Sequence, residues 1–555
     1  MIEFKAEYAV RLLYTLQTSL GWEVVMTNVD TQAAWCYHAE TKHSAISVRA
    51  DTFYLDWPNK PSLFKIYPNL PTVSLPKDFP IPVCDTLSAL GSAEAPFDRR
   101  PSLDIGTMAQ ILFFSAGLTK KKTLAGGESF YFRAAACAGA LYPIELYAVT
   151  TDIPGLDAGV YHFSPQEFQL HCLRKGDYRH TLITASGADA ALVGAPTILI
   201  LTGVFWRSAW KYRARAYRYL FWDSGMIAAN LLAIAGRSHA VRIVMGFLDE
   251  PINRLLDLDT DHEVALELVA LDADPSLPSP PVVLPASPLG AESCSLSVQE
   301  TDYPEIRDMH TASQLTLEEE LLSWRAAKPP SGPALEGSGI RLQPRPAENG
   351  RRQGLGEVIL KRGSTRQFDH RPITWRELST ILSLAATAIP ADFLSEPGSS
   401  LLDIYMIINA VEGIDNGAYF YSPAAGALQC LAKSDMRRAA GYLCLEQPLA
   451  ADAAVTIFFM ADLYQILAQY GNRGYRAVQF EAGLIGGKIY LTAYHLGLGS
   501  TGLTFYDDDV TQFFSPHAAG RTAIFVVAVG HAVKGGVLQG RTVRLVNWPP
   551  TGSAE

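Results

Sequence analysis

The chain repeats itself at long range, and that repeat limits its fold more than any local pattern does. KYRARAYRYLFWDSG (211–225) returns as QYGNRGYRAVQFEAG (469–483), so Tyr212, Arg215, Tyr217, Arg218 and Gly225 fall on Tyr470, Arg473, Tyr475, Arg476 and Gly483 at one offset of 258 positions. The same offset carries Glu145 and Tyr147 onto Asp403 and Tyr405, GVYHFSP (159–165) onto GAYFYSP (417–423), Cys172 onto Cys430, Phe247 onto Phe505 and Asp249 onto Asp507. Upstream, PFDRRPSLDIGTMAQIL (96–112) aligns with QFDHRPITWRELSTIL (367–382) at an offset of 271, so the copies differ by thirteen residues of loop. A period this long is a duplicated domain, since solenoid repeats run about 20–50 residues.

Each copy reads as a helix, a strand (LYAVTT, IYMIINA), a hairpin around YHFSP or YFYSP, a strand (TILILTGVF, VTIFFMADL), a long helix and a last strand (LELVAL, IFVVAV). That order predicts α+β architecture, two tandem domains each with one sheet covered by helices, folded on each other as an intramolecular pseudo-dimer. The prolines of DPSLPSPPVVLPASPLG (274–290) exclude a helix or central strand, and the polar stretch after them reads as linker with one short helix near Leu315–Ala327. The expected units are a lead-in (1–90), a first domain (91–275), the linker (276–350) and a second domain (351–550).

Composition removes whole classes of function. With 48% hydrophobic and 18% charged residues the chain has ample core for two packed domains. A net charge of −10 argues against a nucleic-acid partner. Seven cysteines, scattered and without CxxC spacing, indicate neither a disulfide framework nor a metal site and read as reduced thiols of a cytoplasmic protein. MIEFKAEYAVRLLYTL carries acidic residues and does not read as a signal peptide, and no window approaches about 18 apolar residues, so no membrane targeting is expected.

In RGSTRQFD (362–369), RAAACAGALYPIELY (133–147) and the RAYR and RGYR helices, the sequence resembles the nitroreductase superfamily, and within it the SagB-type dehydrogenases, the azoline oxidases. YHAETKHS (37–44) and LDWPNKPSLFKIYPNLP (55–71) resemble the lead-in of that branch, and the likeness covers about residues 37–270 and 350–540. The resemblance implies FMN held at the interface of two subunits. An Arg-x-Ser start and a late basic residue of one subunit would hold the phosphate, and a small-residue loop of the other would pack on the flavin. A guanidinium fork, a hydroxyl and free N–H groups suit that phosphate.

On these grounds Arg362, Gly363, Ser364 and Arg366 are the expected cradle, with Lys534 a second cation and Gly499, Thr501 and Gly502 close to the flavin. Copy one has Gly91, Ala93, Glu94 and Ala95 where the cradle should be, and acidic Asp272 and Asp274 after its last strand. It keeps the packing loop instead, Arg133 with Ala138, Gly139, Ala140 and Leu141, although Ala136-Cys137 replaces the family's Pro-Ser. Copy two has EPGSSLLDIY (396–405) there. One complete site and one decayed site follow, hence one FMN per chain.

A third asymmetry marks the same site. SagB-type enzymes resemble one another in a Lys-Tyr pair assigned to deprotonating the azoline. Copy one has Lys211-Tyr212 and copy two Gln469-Tyr470. A glutamine cannot remove a proton, whereas a lysine with a lowered pKa can. Taken alone, Lys211 equally suits a lysine snorkelling from a helix, Cys137 a small buried residue, and Tyr217, Arg218, Tyr475 and Arg476 packing and salt-bridging. The leading expectation is an FMN-dependent dehydrogenase of a peptide-derived or carrier-bound heterocycle in natural-product biosynthesis, working beside a cyclodehydratase or synthetase, as a monomeric pseudo-dimer or a homodimer. The alternatives are an NAD(P)H-dependent nitro or quinone reductase and a non-catalytic binding subunit of a peptide-modifying complex.

Overall fold

The computed structural model describes residues 27–91, 102–123, 127, 129–274, 277, 284–345, 353–394, 396 and 398–533, with the backbone of strand 541–544. Two seven-stranded antiparallel sheets share one topology. In the first, the order is Thr72–Ser74, Gln169–Lys175, Gly159–Ser164, Ile144–Thr150, Thr197–Val204, Glu263–Leu271, Val241–Val244. In the second it is Ile340–Arg341, Ala427–Lys433, Gly417–Ser422, Asp403–Ile408, Val455–Ala461, Thr522–Gly530, Gly499–Leu503. The central strands are apolar and buried throughout, so helices must cover both faces of each sheet. The chain is therefore two tandem α+β domains of one fold, and one hydrophobic core runs through both.

The copies meet along two long helices, Ala216–Ala235 and Arg473–His495. Gly225 and Gly483, the glycines of the repeat, lie at their crossing. A Cβ on Gly225 would sit 2.5 Å from Leu484 N, and one on Gly483 2.6 Å from Trp222 Cα. Backbones this close tolerate no side chain.

Reciprocal ion pairs fix the register of the copies. Asp507 of copy two accepts from Arg215 (3.0 Å) and Arg218 (2.8 Å) of copy one, and Asp249 of copy one accepts from Arg473 (2.5 Å) and Arg476 (2.9 Å) of copy two. All six groups are buried. Charges taken this far from water are tolerable only when paired with good geometry. Burial pushes the Asp507 carboxyl up, but Arg215 and Arg218 overcome it and hold it below the usual carboxylate range.

The repeat extends beyond both copies as aligned in sequence. Helix Gln32–Glu40 and helix Pro304–Ala312 play equivalent parts: Arg218 donates to His38 O (2.7 Å) and Arg476 to His310 O (2.8 Å), while His38 meets Tyr475 OH and His310 meets Tyr217 OH, each at 3.2 Å. Burial drives both imidazole pKa values down, leaving them neutral. Where the sequence reads as linker with one helix, there are two, Pro304–Ala312 and Glu318–Ala326, with His310 and Trp324 buried. Among the described residues, no helix is long and apolar enough to cross a membrane, and no group of three metal-ligating side chains is gathered.

Candidate functional site

The loop expected to pack on a flavin follows strand Ser129–Arg133 and bends sharply: Gly139 (φ 62), Ala140 (φ 54) and Tyr142 (φ 51) are all left-handed. Two of the three pay for a Cβ there, about 1–3 kcal/mol of strain each, which the surroundings must over-determine. Asp223, on the first long helix, does so. Its carboxylate accepts from Ala138 N (2.8 Å) and the Cys137 thiol (3.1 Å), and Cys137 Sγ in turn accepts from Tyr142 N (3.1 Å). Burial raises Asp223 to about 7, and burial together with Asp223 keeps the Cys137 thiol protonated. A small cleft behind the loop is lined by Arg133, Ala136, Cys137, Tyr142, Asp223 and Ile227. Gly139 and Ala140 are exposed, whereas the Leu141 side chain belongs to the core.

Lys211 and Tyr212 end helix Phe205–Tyr212 directly over this loop. A Cβ on Gly139 would lie 2.9 Å from Tyr212 OH, so only glycine lets the hydroxyl reach the backbone there. The Tyr212 ring stacks on Tyr219 at 4.0 Å, and Lys211 Nζ lies 5.3 Å from the Tyr212 ring centroid. The next residue, Arg213, adopts φ 51, ψ −141, a conformation that is nearly glycine-only, and copy two has Gly471 there at φ 64. Burial lowers the Lys211 pKa, and the positive charge of Arg366 from copy two lowers it further. Burial raises Tyr212, with Tyr219, Asp223 and Cys137 adding to the rise.

The start of copy two faces the same loop. Arg366 is exposed, and Ser364 Oγ lies 3.5 Å from Tyr490 OH. Arg362 differs from the free guanidinium expected of a phosphate ligand. It is buried, and Nε and Nη2 donate to the carbonyls of Ala134 and Arg133 of copy one, each at 3.0 Å. It therefore joins the cradle to the loop, and burial lowers its pKa. Arg133 points away, donating to Ile144 O and Leu63 O. Gly499, Thr501 and Gly502 lie on strand Gly499–Leu503, where Gly502 N donates to Tyr490 OH (2.6 Å) and Ser500 O accepts from Thr365 N (3.0 Å). Gly363 has room around it, the nearest atom to a Cβ there being Tyr494 OH at 3.5 Å. Lys534 lies outside the described residues, as do Ala93, Glu94 and Ala95 of copy one; Gly91 ends a short helix, and Asp272 stands beside His239.

On the other side of the molecule the pseudo-equivalent strand is covered. Against strand Val241–Val244, the counterpart of Gly499–Leu503, lies copy two's own backbone: Ile243 N donates to Pro390 O (2.8 Å) and Asp392 N to Ile243 O (3.0 Å). The Asp392 carboxylate takes the N–H groups of Met245 (2.9 Å) and Gly246 (2.7 Å) and the Trp324 indole (2.9 Å). The Asp392 carboxylate thus ties residues 390–392 to this end of copy one. Glu481, at Asp223's place in the repeat, ties the 396–405 loop down through Ser400 Oγ (2.6 Å) and Leu401 N (2.9 Å).

The nitroreductase family model matches residues 359–531. A protein of Methanocaldococcus jannaschii assigned as a nitroreductase, MJ1384, is 30% identical over 164 residues, which cover 28% of this chain and 82% of that protein. The chain belongs to the nitroreductase family. Membership makes it an oxidoreductase by descent, and proteins of the family generally bind flavin. The trifolitoxin-processing protein TfxB of Rhizobium leguminosarum bv. trifolii is 32% identical over 156 residues, 26% of this chain, and the chain spans only 39% of its length. The crystal structure of a protein from Anabaena variabilis assigned as a nitroreductase superposes with a TM-score of 0.71 at 27% identity, covering 90% of this chain and 99% of that one. A single chain of that family thus parallels both copies and not one alone.

The residues at the junction suit a flavin mononucleotide. Thr365 Oγ1 and Ser500 Oγ are buried hydroxyls without hydrogen-bond partners among the described residues, adjacent across the Thr365–Ser500 backbone bond, and Arg366 adds an exposed cation one residue away. Buried hydroxyls seldom stay unpaired without a ligand or water to satisfy them. These two were not singled out from the sequence; Thr365 sits inside the RGSTR motif, but its burial and its neighbour Ser500 are visible only in three dimensions.

Proposed function

We propose that this nitroreductase-family protein is an FMN-dependent dehydrogenase that oxidises an azoline-type ring in a peptide-derived or carrier-bound substrate, in natural-product biosynthesis. The observation that carries the reading is the meeting of groups from both copies at one loop: Lys211 and Tyr212 of copy one stand over Gly139, Arg362 of copy two bonds to the start of that loop, and Arg366 of copy two acts on Lys211. The likeness to the trifolitoxin-processing protein TfxB supports a place in natural-product biosynthesis.

Ser364, Thr365, Ser500 and Arg366 would hold the phosphate end, and Gly139 and Ala140 would present their bare backbone to the ring system. Bound FMN would supply the two-electron acceptor, which no side chain here can. The chain's own contribution is orientation and proton transfer. Conversion of an azoline to an azole removes two electrons and two protons, one proton leaving with the electron pair as hydride. Lys211, its pKa lowered by burial and by Arg366, takes the other proton at Nζ, and the Tyr212 hydroxyl over Gly139 orients the ring nitrogen. Tyr212, with its pKa raised, stays a hydrogen-bond donor.

Lys211→Ala is expected to lower turnover about 10²–10⁴-fold with flavin retained, and Gln469→Ala to leave turnover unchanged. Ordinary turnover in Lys211→Ala overturns the assignment. The likeness to MJ1384 favours a second reading, a nicotinamide-dependent reductase of nitro compounds or quinones. Rapid anaerobic bleaching of the bound flavin by NADH or NADPH, with no oxidation of an azoline peptide, would establish that reading instead.

A further inference from the structure

Helix Phe205–Tyr212 carries a cation four residues before Lys211, and its counterpart helix Leu463–Tyr470 does not. Residues four apart share a helix face, so Arg207 and Lys211 lie one above the other in copy one. Gln465 and Gln469 stand at their places in copy two. There the face is bare: both glutamines are exposed, and Gln465 Nε2 turns back to Asp462 at its own helix start (2.6 Å). In copy one Arg207 is wholly buried.

The Arg207 guanidinium joins three segments that are distant in sequence. Nη1 donates to the carbonyl of Tyr142 (3.1 Å), the last left-handed residue of the 138–142 loop, and to the Glu145 carboxylate at the start of strand Ile144–Thr150. Nε donates to Ser62 O (3.0 Å) of the lead-in. One residue on, Leu63 O accepts from Arg133 Nη2 (3.0 Å), so the lead-in is tied both to this helix and to the start of the loop. Glu145 is buried as well, and its second oxygen meets His162 Nε2 at 2.8 Å. Burial pushes the Glu145 carboxyl up, but Arg207 and His162 overcome this and hold it below the usual carboxylate range. The equivalent carboxylate of copy two, Asp403, pairs instead with Arg521 Nε (2.6 Å), a residue that stands where copy one has Glu263. With an acid at that place, Glu145 has its cation on the helix.

We propose that Arg207 is a positioning residue: paired with Glu145, it ties its helix to the carbonyl of Tyr142 and so fixes Lys211 and Tyr212 above Gly139. This assignment rests on the reading of Lys211 as the base and adds what holds that base in place. The tie is short. Arg207 precedes Lys211 by about 6 Å of helix, and Tyr142 follows Gly139 by three residues, so helix and loop are pinned within one turn of the contact between the Tyr212 hydroxyl and Gly139. A guanidinium fork fixes orientation as well as distance. A buried ion pair adds little to stability beyond what apolar residues of the same size would give. Stability alone therefore gives no reason for the helix to carry an arginine in the copy that also carries Lys211.

The test is acetylation of Lys211 by acetic anhydride across pH, read by mass spectrometry of the digested full chain, in wild type, Arg207→Met/Glu145→Gln and Arg207→Lys. In wild type, Lys211 is expected to react with a midpoint below that of the exposed lysines in the same digest, since burial and then Arg366 lower its pKa while Cys137 opposes them. The double variant removes one positive and one negative charge, so net charge is unchanged, and Glu145→Gln keeps an acceptor for His162; a moved midpoint then reports position. It should rise by about one pH unit as the helix end leaves the loop and Arg366. Arg207→Lys keeps a cation beside Glu145 but cannot make all three bonds, and should fall between. With an azoline substrate, the double variant should lose about 10²-fold in kcat with KM little changed. A Lys211 midpoint at the wild-type value in either variant overturns the proposal and leaves Arg207 a packing residue. The labelling needs neither flavin nor substrate, so if Lys211→Ala kept ordinary turnover, a moved midpoint would still uphold the tie while the base assignment failed.

Discussion

Gly225→Ala tests whether the site depends on how closely the two copies approach. The added methyl would lie 2.5 Å from Leu484 N, where about 3.5 Å is needed, so the long helices must part by roughly 1 Å. Its neighbour is the main chain of a second helix, which has no rotamer to yield. The overpacking cost therefore falls near the upper end of about 1–3 kcal/mol. Alanine recovers about 0.5–1 kcal/mol over glycine in a helix interior, leaving a net loss of about 2 kcal/mol. The functional loss should exceed that. Arg362 bridges the copies through two bonds of 3.0 Å, and a further 1 Å breaks both. Misplacement on that scale costs about 10²-fold in rate even far from the reacting atoms. Urea denaturation and steady-state turnover of the flavin-loaded variant check both figures. Wild-type stability with full turnover would refute the view that the site is assembled by the approach of the copies.

Two further outcomes follow from the charges. Arg366→Gln removes a positive charge that helps hold the Lys211 pKa down, so the alkaline-rising limb of kcat measured at saturating FMN should move to higher pH; a limb that stays or moves down contradicts the pairing. Asp507→Asn leaves Arg215 and Arg218 buried without their carboxylate and should cost about 3–5 kcal/mol in urea denaturation, as should Asp249→Asn for Arg473 and Arg476. Since the folded Asp507 carboxyl is depressed, its contribution is present above the ordinary carboxylate range and is lost as pH falls, a slope that Asp507→Asn should remove.

The repeat made the architecture legible because it preserves what the pseudo-dyad needs, the Gly225 and Gly483 crossing and the arginines of the two helices. Packing and salt-bridging is also what Arg218 and Arg476 do. Their partners Asp249 and Asp507 were visible as a repeated pair, yet nothing in a linear pattern says that each crosses to the other copy's arginines. The equivalence of residues 32–41 and 304–313 was hidden because only His38 with His310 and Thr41 with Ser313 keep their chemistry, and the latter pair serves by hydroxyl alone. At the site, motif spacing brought Arg362, Ser364 and Arg366 near the 138–141 loop. It could not show that two of Arg362's donors go to backbone carbonyls, since an arginine that holds a loop and one that holds a phosphate look alike in sequence. The covering of strand Val241–Val244 by residues 390–392 left no signal in the sequence, because it runs through backbone bonds, with the Asp392 carboxylate and the Trp324 indole added to them.

We infer that duplication left one flavin site, built from copy two's cradle and copy one's loop, and closed the other with residues 390–392. Flavin absorbance against protein mass, measured on enzyme saturated with FMN and freed of excess by gel filtration, tests it most directly. A ratio near one FMN per chain is the predicted result, and extraction should release FMN and not FAD. A ratio near two would mean that the second interface also holds a flavin, and that the site was not lost with copy one's cradle.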